Sequence, residues 1–71
     1  MRAIVLDVSV GTEEHAGGIM CSFDEDCARY IGQTIEVQHM FTDCLRWYTL
    51  KGKSTIKPEV IFHKNWLEFV Q

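Results

Sequence analysis

The chain has 71 residues, enough for one domain and no more. Val, Ile, Leu and Phe supply 20 of them, above the roughly one-fifth share below which disorder is the default. A net charge of −3 argues against strong attraction to a nucleic-acid backbone, and no stretch approaches the ~20 apolar residues that span a bilayer.

Residues 2–10 are expected to form a strand. Ile4, Leu6, Val8 and Val10 alternate with Ala3, Val5, Asp7 and Ser9, the period of a sheet with one buried face. Asp7 interrupts the apolar run too early for a secretory signal, and no small-residue cleavage site follows. Three cysteines, an odd number, also argue against a secreted disulfide framework, so a cytoplasmic location is expected. Gly11 to Gly18 reads as a polar loop, and residues 19–23 as a short extended run.

Residues 24–31 carry the clearest local signal. Asp24 is placed to cap a helical turn, and Glu25 and Asp26 suit its positive end. Phe23, Cys27, Tyr30 and Ile31 fall on one helical face. Gly32 stands where a left-handed terminator belongs. Strands are expected at 33–41, 44–50 and 59–63, with a turn at Thr42 and Asp43 and a loop at Lys51 to Ser54. Pro58 precedes the third of these strands, where its missing N–H costs little. His63 to Trp66 can form one tight turn, and Leu67 to Val70 a closing strand. About five short strands on so small a chain favour a closed or nearly closed barrel, which removes exposed edges. The expected core is Ile4, Leu6, Val8, Phe23, Tyr30, Ile35, Val37, Trp66 and Leu67.

The segment from Phe23 to Val37 combines an acidic helical turn, the Tyr30-Ile31-Gly32 ending and a following strand. It resembles a pattern of small SH3-like barrel proteins, many of them encoded by phages and prophages. The ending from Phe62 to Glu68 resembles the aromatic turn of the same proteins before their last strand. The resemblance implies one SH3-like barrel over residues 1–71. These are packing motifs, so it leaves function open.

Four chemistries follow from the residues. His15, Cys21, Cys27, His39, Cys44 and His63 are soft metal ligands, but none form the close pairs that structural zinc sites use. No metal or other cofactor is expected. Cys44 beside Asp43, with His39 or His63, is a conceivable thiol nucleophile. Its hairpin setting offers no evident pocket, and no enzyme is expected. Glu13-Glu14 and Asp24-Glu25-Asp26 read as a solvated loop and a helix start.

Charge asymmetry bears on the other two. Residues 1–43 carry a net −6 and residues 44–71 a net +3, with all four lysines in the second part. Arg46, Trp47, Tyr48, Lys51, Lys53, Lys57 and Lys64 mix bases with aromatics, as single-stranded nucleic-acid sites do. A barrel this small has little interior for a substrate, so a protein partner is the leading expectation and nucleic acid the alternative. Arg46, Trp47, Lys51 and Lys53 are the expected partner-binding residues. Side chains on 44–50 alternate, so Trp47 and Tyr48 point to opposite faces. The resemblance implies Tyr48 and Leu50 inside and Trp47 outside as an anchor. The competing expectation packs Trp47 under the Gly11–Gly18 loop.

Overall fold

A computed structural model describes residues 1–40, 45–54 and 56–71. The expected turn at Thr42 and Asp43, and the reading of Cys44 as a nucleophile, lie outside the described residues. Among those described, the chain is mainly β. Its strands are β1 (Arg2–Val5), β2 (Glu13–Ala16), β3 (Ile19–Ser22), β4 (Thr34–His39), β5 (Trp47–Leu50), β6 (Phe62–His63) and β7 (Leu67–Val70). One helical turn, α1 (Glu25–Ala28), precedes β4, and a 3-10 turn (Lys64–Trp66) separates β6 from β7. Five strands form an antiparallel sheet in the order β6-β5-β4-β1-β7, and β2 and β3 form a separate hairpin. The sheet does not close on itself, because β6 and β7 remain its two edges.

Local chemistry explains the elements. The Asp24 side chain accepts the Cys27 amide at 2.9 Å and starts α1, as its sequence position suggests. Two i→i+3 bonds, from Tyr30 to Cys27 and from Ile31 to Ala28, tighten the exit. Gly32 then takes a φ of +81°, and its amide bonds the Val5 carbonyl, delivering the chain into β4. The predicted turn at 63–66 and closing strand at 67–70 are both present.

The strand expected at 59–63 is confined to Phe62–His63, and two further elements differ from expectation. The first strand ends at Val5, because the Leu6 amide bonds Trp66 and the Val8 amide turns back onto the Leu6 carbonyl, bending the chain out of the sheet. The Gly11–Gly18 loop contains β2, whose partner β3 follows a two-residue turn. Gly17 and Gly18 both have positive φ, 60° and 79°, the geometry that suits a tight hairpin.

The core is a single cluster, but it uses the other face of β1. Ala3 and Val5 are fully buried, Ile4 and Val8 are half-buried, and Leu6 is exposed. As the middle of three strands, β1 turns Ala3 and Val5 into the densest packing, where small side chains fit. The larger alternating residues lie on the more open side. Phe23, Val37, Trp66 and Leu67 are buried as expected, while Tyr30 and Ile35 are half-buried. Phe23 meets Trp66 edge-on at 5.3 Å, and Tyr30 meets Phe62 in the same way at 6.2 Å.

Candidate functional site

The proposed anchor Trp47 is not on the surface. It is fully buried, and its indole Nε1–H donates to the Ala16 carbonyl at 3.0 Å. Its ring meets His63 at 4.9 Å and Trp66 at 6.3 Å, both edge-on. It packs against Ala16 of the Gly11–Gly18 segment, but as part of the main core rather than of a second small one. Tyr48 is buried as well, against His39 at 4.6 Å and Phe69 at 5.1 Å. Both faces of β5 are therefore covered. Neither Trp47 nor Tyr48 presents a free ring for stacking.

The basic residues do not gather. Arg46 lies before β5, where its carbonyl accepts the Lys64 amide at 2.8 Å. Lys51 and Lys53 lie beyond the other end of the same strand, about 16 Å away at strand spacing. The Lys51 amide bonds the Glu36 carbonyl, and the Gln38 side chain donates to the Lys53 carbonyl at 3.1 Å. Arg46, Lys51 and Lys53 are all exposed, but they form two groups rather than one face.

His63 sits at the Arg46 end. It is 2% exposed, and its Nδ1 accepts the Asn65 amide at 3.0 Å, capping the 3-10 turn. Burial pushes its pKa below the usual 6.5. Glu14 opposes that effect, while Arg46 and Lys64 reinforce it. The folded state thus binds a proton less readily than the unfolded chain. Stability should be unaffected above about pH 6.5, fall as pH drops from there toward the lower folded value, and then level off. Thermal midpoints at pH 7.5 and 5.5 check this: His63→Asn, which keeps a capping acceptor without a titrating ring, should show a smaller drop. Equal drops in both proteins would remove His63 as the cause.

A groove of about 280 Å³ opens on another side, lined by Cys21, Ser22, Asp24, Pro58, Glu59, Val60 and Ile61. The end of β3 and the α1 cap form one wall. The extended segment entering β6 forms the other. One buried and one part-buried contact fix that second wall. The Thr49 hydroxyl donates to the Val60 carbonyl at 2.7 Å, and the Cys27 thiol donates to the Ile61 carbonyl at 3.3 Å. Val60, Ile61, Pro58 and Cys21 supply apolar surface, and Asp24 and Glu59 place carboxylates on the rim.

The thiols near the groove are poor nucleophiles. Burial raises the Cys21 pKa, with Asp24 adding to the effect. Burial likewise pushes Cys27 up to about 12. Both are free thiols held protonated at neutral pH. Among the described residues, no three His, Cys, Asp or Glu side chains gather at metal-binding distance. Among the described residues, no helix is long and apolar enough to cross a membrane.

Sequence reasoning missed this groove. Its walls come from segments nearly forty residues apart, and only Asp24 carried a local signal, as a cap. Fold and groove together define a small mainly-β domain with an apolar, acid-rimmed cleft. Comparison with known protein families, curated proteins and solved structures finds no match for the chain.

Proposed function

We propose that the chain is an SH3-like open barrel acting as a non-enzymatic module that binds another protein through the Cys21–Ile61 groove. The strand order β6-β5-β4-β1-β7, with a 3-10 turn before the last strand, supports the barrel reading. The groove carries the functional reading. Its floor is apolar, its second wall is pinned from the core, and its titratable groups are a protonated thiol and two rim carboxylates. Apolar surface with a few oriented polar groups suits recognition, whereas nucleophilic catalysis needs an activated thiolate and a base. Rim carboxylates favour a segment that carries Lys or Arg beside an apolar side chain. Arg46, Lys51 and Lys53 lie outside the groove, where their charges bear on encounter. The resemblance to phage and prophage barrels makes a bacterial host protein the partner class to test.

The test is capture from bacterial lysate with the immobilised chain, with and without nuclease, beside a Ser22→Trp variant. Ser22 is exposed at the end of β3, so the indole fills the groove without entering the core. A protein retained after nuclease and lost with Ser22→Trp is the expected result. Capture that vanishes with nuclease would transfer the function to nucleic acid, and equal capture by the variant would move the site elsewhere.

A further inference from the structure

Ile56 is 89% exposed, the most exposed large apolar side chain among the described residues. It does not simply trail into solvent. The Ser54 hydroxyl accepts both the Ile56 amide at 3.1 Å and the Lys57 amide at 3.3 Å, a local turn that presents the side chain outward. Lys53 and Lys57 flank it, and both are exposed. The chain therefore carries an apolar knob between two cations, and a groove lined by apolar side chains together with the carboxylates of Asp24 and Glu59. The two features are complementary in shape class and in charge.

They are also adjacent. Pro58, the residue after Lys57, is already part of the groove wall. A chain whose knob entered a neighbour's groove would bring its own groove beside the neighbour's knob. That arrangement satisfies both contacts around one two-fold axis, the commonest closed symmetry of soluble assemblies.

We propose that the groove is filled by the Ile56 knob of a second copy of this chain, exchanged reciprocally in a two-fold dimer. The proposal rests on the reading of the groove as a docking site and names an occupant for it. A knob-and-groove pair is a small interface, so the dimer should be weak, with a dissociation constant on the order of 100 µM. A partner protein would compete with it for the same groove.

Sedimentation equilibrium over a wide concentration range tests the idea. The average mass should rise from 8.2 kDa toward twice that value. Ile56→Asp and Ser22→Trp should each weaken the rise by about tenfold or more, and Glu59→Lys should weaken it by removing a complementary charge. All three positions are exposed or line the groove, so circular dichroism should report an intact fold. A chain that stays at 8.2 kDa up to millimolar concentration overturns the proposal, as does a dimer indifferent to Ile56→Asp. The two readings fail separately. A monomer that still captures a protein, with capture lost in Ser22→Trp, overturns the self-contact and leaves the module reading intact. A dimer sensitive to both substitutions, with nothing captured, upholds the self-contact and removes the second protein.

Discussion

Trp47→Ala should lower stability by about 3–5 kcal/mol, the usual cost of deleting a large buried aromatic. The ring is fully enclosed between Ala16, His63 and Trp66, so its loss opens a cavity at the junction of hairpin and sheet. It also leaves the Ala16 carbonyl without its indole donor. In a domain of this size the thermal midpoint should fall by about 15 °C or more. Trp47→Phe should cost less, because much of the volume stays and mainly the hydrogen bond goes. Arg46→Ala, one position away and exposed, should leave the midpoint nearly unchanged. A shift under about 2 °C for Trp47→Ala, measured by thermal denaturation, would show that the indole is not the structural wedge described above.

The second large effect separates neighbouring residues. Val5→Asp should abolish folding at neutral pH, while Leu6→Asp should leave a folded protein. Val5 is fully buried on β1, between β4 and β7, where an unpaired carboxylate costs about 3–5 kcal/mol or more. That is most of the stability available to a small domain. Leu6 is 37% exposed, and its hydrogen bonds run through the backbone, from its amide to the Trp66 carbonyl and from the Val8 amide to its own carbonyl. Circular dichroism of the two proteins decides the point. A folded Val5→Asp beside an unfolded Leu6→Asp would restore the opposite face of β1 to the core.

That pair also shows why the face of β1 was hard to read. Ile4, Leu6, Val8 and Val10 give the stronger alternation, and larger apolar residues are the ordinary choice for a core. The interior position went to Ala3 and Val5 because β1 is flanked by β4 and β7, and the chain leaves the sheet after Val5. Neither fact is present in a local pattern. By contrast, α1 was legible because a cap, an acidic first turn and a terminating glycine all act within ten residues. The β2–β3 hairpin had a usable signal in Gly17-Gly18. The polar run Glu13-Glu14-His15 concealed it, since a ribbon that buries only Ala16 among its β2 residues needs little apolar sequence. Alternation correctly separated the faces of Trp47 and Tyr48, but it did not say that both would be covered. The groove was the least legible feature, because its two walls meet only in three dimensions.

The position of β1 has a consequence for how the chain acquires its structure. Residues 2–5 are made before the rest of the sheet, yet one of their two neighbours, β7, ends only at Val70. During synthesis β1 can pair with β4 once residues 34–36 emerge. Its second edge, and the apolar surface of Ala3 and Val5, then wait for the final strand. Loop closure over such a separation is slow compared with local turns. Until β7 pairs, β1 is the open edge of the sheet, the kind of edge that pairs wrongly with other chains. Completion of β7 ends that exposure, so β7 acts as the latch on the pairing that β1 begins with β4.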